Sequence, residues 1–410
     1  MAVSGLQPEG DLSESGSNTQ LRDAALKASQ RSDVPSFIVM DVMQAAAARE
    51  AIGRRVIHME VGQPGTPAPR AVLARVGQAL ERDTLGYTLA LGMPALRERI
   101  ARYYVEKYGV TVEPERVVVT TGSSAGFVLA FLTLFDVGAR VALPSPGYPC
   151  YRHVLNALGQ VPVPLVTDEA SRWMPTADHI DKAAREHRIS GLIVASPSNP
   201  TGTMLEPARL AELIAACRRN DVWFISDEIY HGLSYGMREE TALQHSDDAI
   251  VVNSFSKYFS MTGWRVGWLV VPGSMVRPLE RLAQNLYISP PAVAQVAALG
   301  SFDGMQELER NTAVYAANRS LLLDELPKAG LARILPADGA FYLYVDVSHL
   351  TSDSHAFARE MLMETDIAAT PGMDFDPERG ASYVRFCYSG GASDIAEAAR
   401  RLRSWKRLQR

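Results

Sequence analysis

The sequence predicts an α/β protein with a mainly parallel sheet and a second, smaller α/β domain, on three observations. From Arg116 onward, short β-branched runs alternate with longer amphipathic stretches. The runs are apolar at successive positions, the pattern of strands buried on both faces, and the stretches between them are long enough for crossover helices. Beyond Pro291 the alternation gives way to long helical stretches around two or three strands.

In chain order, residues 1–35 are rich in Ser, Gly, Gln and charge without a sustained apolar period, and read as a mobile tail. Strands are predicted at Val117 to Thr120, Arg140 to Leu143, Val161 to Val166, Gly191 to Ala195, Val222 to Ile225 and Ile250 to Val252, with helical patterns between them. Further on, helices are expected within Gln295 to Leu326, Ser354 to Glu364 and Asp394 to Leu408, and strands near Phe341 to Val347 and Tyr383 to Cys387. The expected division is a large domain over residues 66–300 and a small one built from 36–65 and 301–410.

A chain of 410 residues with 47% hydrophobic and 21% charged side chains can bury a sizeable core. The formal net charge of -5 and the scattered Lys and Arg leave no basic stripe, so neither nucleic acid nor an anionic membrane is an expected partner. Cys150, Cys217 and Cys387 are far apart and odd in number, which argues for a reducing cytoplasm rather than a disulfide framework, and against a zinc site. Pro8, Glu9, Asp11 and Glu14 stand where an export signal would need an apolar run. No apolar stretch approaches the roughly 20 residues of a membrane helix. The sequon Asn318, Arg319, Ser320 is accordingly read as chance.

In open α/β sheets, ligands bind beyond the carboxyl ends of the strands. The predicted strands there run into Ser196 to Gly202 with Asn199, into Asp227, Glu228, Ile229 and Tyr230, and into Ser254, Phe255, Ser256 and Lys257. An amide, a carboxylate, a phenol and an amine thus converge on one sheet end. A fourth strand leads through Gly122, Ser123 and Ser124 into an apolar helix whose free N–H groups form an anion site, and a turn past Met261, Thr262 and Gly263 would bring Arg265, eight residues after Lys257, back to the same anion. Each residue alone has a simpler explanation: an Asp before a helix caps it, a Lys is solvated, an Asn before Pro turns the chain. Their joint order suits a flat aromatic cofactor with a phosphate, a ring nitrogen and an aldehyde.

Ser254 to Lys257 followed by Met261, Thr262, Gly263, Trp264 and Arg265, together with Asn199 to Gly202 and Asp227 to Tyr230, resembles the motif set of the class I/II aminotransferases of the aspartate-aminotransferase superfamily, fold type I. The resemblance runs from about Ser36 to Leu408. It implies a mainly parallel seven-stranded sheet flanked by helices, a pyridoxal 5'-phosphate cofactor and ping-pong transfer of an amino group between an L-amino acid and a 2-oxo acid. By that resemblance Lys257 carries the cofactor as a Schiff base and moves the substrate proton, while Asp227 partners the pyridine nitrogen. Asn199 and Tyr230 bond the ring hydroxyl, Tyr148 stacks on the ring, and Ser123, Ser124, Ser254 and Arg265 hold the phosphate. Arg385 takes the α-carboxylate, with Asn199 alongside, and Gly62 lets backbone approach the substrate closely. Tyr87 reaches the phosphate of the neighbouring subunit in a homodimer with shared active sites. No metal is implied.

One departure bears on substrate. The best-known aspartate aminotransferases carry a second arginine for the side-chain carboxylate, and the corresponding segment Asn285 to Pro291 has none. A buried carboxylate without a cation loses hydration it does not regain, so the expected donor is neutral or aromatic. Three alternatives stand beside this one: an aspartate aminotransferase using other residues, a β-lyase with the same residues around its cofactor, and a serine hydrolase. The last rests on Gly122, Ser123, Ser124, Ala125, Gly126, which fits a Gly-x-Ser-x-Gly elbow with Ser124 as nucleophile.

Overall fold

The computed structural model describes residues 28–409. Of the expected tail, residues 1–27 lie outside the described residues, and Gln30–Ser32 form a short 3-10 helix opened by the Ser29 side chain.

Twelve strands occur among the described residues. They are β1 (Ile57–His58), β2 (Val117–Thr120), β3 (Arg140–Ser145), β4 (Val161–Val166), β5 (Gly191–Ala195), β6 (Trp223–Asp227), β7 (Ile250–Ser254), β8 (Gly267–Val270), β9 (Tyr342–Asp346), β10 (Ile367–Ala368), β11 (Thr370–Pro371) and β12 (Tyr383–Cys387). Seven of them form one sheet in the order β2-β8-β7-β6-β5-β3-β4. All neighbouring pairs are parallel except those made by β8, which runs antiparallel to both β2 and β7. β2, β5 and β7 are buried at every position, as strands covered on both faces must be. β4, by contrast, tolerates Pro162 and Pro164 because it is an edge strand with no second partner to satisfy.

β8 was not among the strands expected from sequence, and it decides the geometry of the site. Lying antiparallel between β2 and β7, it makes those two point the same way. Thr120 and Ser254, the last residues of β2 and β7, both pair with Gly267. The helix Ser123–Leu134 therefore starts beside the segment that carries Lys257. Gly267 is required for that approach, because a Cβ there would stand 2.8 Å from the Asn253 carbonyl and 3.0 Å from the Ser123 nitrogen.

The remaining strands build two smaller sheets. β12 is central in the order β11-β12-β9, with Arg385 paired to Tyr344 and Thr370. β1 runs parallel to β10, which ties residues 57–58 to the C-terminal part of the chain. Helices Met305–Lys328 and Ala392–Ser404 pack on one another beside these sheets.

Candidate active site

The carboxyl ends of β5, β6 and β7 open into a cleft of about 240 Å³. Asn199, Asp227, Tyr230, Lys257, Arg265, Arg385, Gly62, Ser123, Ser124 and Tyr148 all line it, so most of the polar residues singled out in the sequence meet in one place.

Lys257 leaves the turn after β7 and donates from Nζ to the Gly62 carbonyl at 2.5 Å, with the Tyr230 ring 5.8 Å away. Burial pushes its ammonium down to about 8, and the Arg385 and Arg265 charges work in the same direction. Asp227 closes β6 and is buried. Its Oδ1 accepts from the Ile229 N–H at 3.1 Å and its Oδ2 from the Tyr151 hydroxyl. Burial pushes this carboxylate up to about 6, against the two hydrogen bonds and the Lys257 charge.

Arg385, in the middle of β12, is 3% exposed and makes no ion pair among the described residues. Its Nη1 donates to Asn199 Oδ1 at 2.8 Å, and Nη2 to the Glu60 carbonyl and to Thr370 Oγ1. Its plane is held between the Tyr342 and Phe375 rings, 4.4 and 4.7 Å from their centres, and Nε has no partner. A buried guanidinium whose hydrogen-bond partners are all neutral is set to receive an anion, and its planar fork matches a carboxylate.

At the far end of the cleft the helix Ser123–Leu134 presents its first N–H groups, and no acid occupies its first turn. Gly122 before it has φ +79° and ψ 167°, a backbone conformation essentially confined to glycine, and a Cβ there would stand 2.4 Å from Arg265 Nη2. The guanidinium thus lies against the helix start, in the arrangement that binds a phosphate.

The class I and II aminotransferase family model matches residues 54–402, which contain every one of these groups. The chain belongs to the class I and II aminotransferases. A valine–pyruvate aminotransferase of Mycobacterium tuberculosis is 49% identical over 379 residues, covering 92% of this chain and 97% of that protein. A crystal structure of an aminotransferase from the same organism superposes with a TM-score of 0.91 at 48% identity, over 92% of this chain and 98% of that one. An aspartate aminotransferase from Thermus thermophilus with maleate gives 0.85 at 27% identity, over 92% and 99%.

Pyridoxal 5'-phosphate is the cofactor of this family, and the aminotransferase cleft fits it. Burial lowers the Lys257 amine to about 8, a buried carboxylate stands at Asp227, and an anion cradle opens at Ser123 and Arg265. The hydrolase alternative fails here. No histidine hydrogen-bonds Ser124 among the described residues, and the two late histidines stand elsewhere, His349 bonded to the Gly330 carbonyl and His355 on the helix Ser354–Thr365. The Gly-x-Ser-x-Gly pattern instead serves the helix start.

Four expectations are refined in place. The Ser254 hydroxyl is buried on Ser256 Oγ (2.8 Å) and the Val266 carbonyl (3.1 Å), and it is Ser256 and Thr262 that line the cleft. The Tyr230 hydroxyl meets that of Tyr342 at 2.7 Å. Gly62 is required because a Cβ there would come within 1.9 Å of the Tyr342 hydroxyl, while its carbonyl receives Lys257. Tyr87 is 84% exposed and outside the cleft of its own chain.

Sequence reasoning missed Tyr151, Tyr342, and the wall formed by Phe37, Val39 and Met40. Tyr151 had a signal. It stands three residues after Tyr148 at the start of helix Pro149–Leu158, so the two share a face, with rings 5.3 Å apart.

Proposed function

We propose that this aminotransferase takes a neutral L-amino acid as donor and returns its amino group to a small 2-oxo acid such as pyruvate, with Lys257 as tether and proton carrier. The observation that carries the donor preference is the composition of the cleft wall. The apolar lining of the cleft includes Phe37, Val39, Met40 and Val61, and the arginines lining the cleft in this chain are Arg265 and Arg385. Arg277, upstream of Asn285 to Pro291, is spent on Glu280 at 2.5 Å and is largely exposed. A second carboxylate would enter an apolar wall without a cation. The relative from Mycobacterium tuberculosis, named for valine and pyruvate, agrees with this reading.

When bound, pyridoxal 5'-phosphate supplies an electron sink that stabilises negative charge at the substrate Cα. The protein's share is binding and proton handling. Ser123, Ser124, Ser256 and Arg265, with Ser254 behind them, would hold the phosphate, Tyr148 would stack on the ring, and Asn199 and Tyr230 would bond the ring hydroxyl. Asp227, set by Tyr151, keeps the ring nitrogen protonated. Arg385, oriented by Asn199, would clamp the α-carboxylate, and Lys257 Nζ would take up and carry the substrate's Cα proton.

Around the site, the reading assigns residues 66–300 to the large domain and 36–65 with 301–410 to the small one. A symmetric homodimer places Tyr87 at its partner's phosphate. Tyr87 is exposed, as are Leu89 and Ile288 on segments joined by the Thr88 N–H to Ser289 Oγ hydrogen bond, which supports an interface there. Three free cysteines suit a reducing cytoplasm.

The test is turnover with the loaded enzyme, valine and pyruvate. Alanine and the 2-oxo acid of valine should appear in equal amounts. If no neutral donor yields any alanine from pyruvate, the reading of the cleft is wrong.

A further inference from the structure

The wall residues Phe37, Val39 and Met40 belong to the start of helix Ile38–Ala51, and that start has no cap of its own. Phe37 stands at the N-cap and offers no side-chain acceptor. A helix leaves its first N–H groups free, and an uncapped end frays. Here the acceptor arrives from 336 residues further on: Asp374 Oδ1 accepts from the Ile38 N–H at 3.4 Å, with the Val39 N–H also close. The Asp374 carboxylate is 1% exposed, and its Oδ2 has no other partner.

The loop that carries Asp374 is fixed on two sides. Arg152 Nη2 donates to the Asp374 carbonyl at 2.6 Å, and the Phe375 carbonyl accepts from the Gly147 N–H at 3.1 Å. The Phe375 ring lies under the Arg385 guanidinium. One loop therefore supports the arginine expected to take the α-carboxylate and holds the wall expected to face the side chain.

We propose that Asp374 is a positioning residue that caps helix Ile38–Ala51, holds Phe37, Val39 and Met40 in place, and thereby sets which neutral donors bind. The proposal rests on the reading that the cleft before Lys257 receives the amino acid. A donor with a branched side chain touches the wall, whereas alanine barely reaches it, so loosening the wall penalises the first more than the second.

The experiment is the first half-reaction of the cofactor-loaded enzyme, followed by absorbance with valine and with alanine across concentration. Asp374→Ala should lower kcat/KM for valine about tenfold, through KM, and for alanine no more than about twofold, the scale of a lost helix cap. Asp374→Asn keeps an acceptor oxygen and should hold the wild-type ratio within about threefold. Ile38→Pro deletes the donor N–H while leaving a residue that helices accept at their first position, and should reproduce the Asp374→Ala ratio, whereas Ile38→Ala should not. If Asp374→Ala does not fold, Ile38→Pro against Ile38→Ala decides alone. An unchanged valine-to-alanine ratio in Asp374→Ala or in Ile38→Pro overturns the capping role. A wild-type enzyme that reacts with neither amino acid instead overturns the reading of the cleft beneath it.

Discussion

Burial moves Lys257 and Asp227 in opposite directions, the amine down to about 8 and the carboxylate up to about 6, and each shift bears on function. Only the neutral amine attacks an aldehyde, so capture of pyridoxal phosphate by the cofactor-free protein should speed up as pH rises through about 8 and then level off. A rate still climbing steeply at pH 10 would place the amine at its ordinary value. Lys257→Ala should leave no turnover above that of the free cofactor, with the fold intact by circular dichroism. Tyr151→Phe removes a donor from a buried carboxylate, and hydrogen bonds to charged groups contribute about 1.5–3 kcal/mol, so kcat should fall roughly tenfold or more. At this scale the sequence was most legible for charged and polar groups that directly follow apolar runs. Tyr342 was not legible, because a tyrosine inside the apolar run Phe341 to Val347 looks like any core aromatic.

Elements were legible where the period was clean. The six strands expected between Val117 and Val252 are present, with β3, β6 and β7 each ending two residues later and β6 starting one residue later. β8 escaped because Gly267 to Val270 continues the run that carries Thr262 to Val266, and a four-residue apolar segment after a signature reads as its tail. Yet the register through Gly267 is what brings the helix Ser123–Leu134 to the phosphate end of the cleft. The start of that helix supplies a prediction of its own. Gly122→Ala forces an L residue into φ +79°, ψ 167° and drives a methyl toward Arg265, so pyridoxal phosphate affinity measured by fluorescence titration should weaken by tenfold or more, on strain of order 1–3 kcal/mol. Affinity equal to wild type would mean that the phosphate is held elsewhere.

For the molecule as a whole, length and charge raise the expectation of two domains and of no basic stripe, while the wall contributed by residues 37–40 was not legible, since apolar side chains carry no mark of which cavity they face. Assembly is tested by mixing: in a shared site, Tyr87→Phe and Lys257→Ala subunits together rebuild one site with both Lys257 and Tyr87 per mixed dimer, so mixing should restore cofactor binding of wild-type affinity, and indifference to mixing would contradict a shared site. The claim on which the account turns is that this cleft transfers the amino group of a neutral donor, and the first half-reaction measures it without any acceptor. Stopped-flow loss of the yellow absorbance of the loaded enzyme, run across valine, alanine, methionine, phenylalanine and aspartate, should give the neutral acids a higher kcat/KM than aspartate. Aspartate reacting fastest, or no amino acid discharging the band, would contradict it.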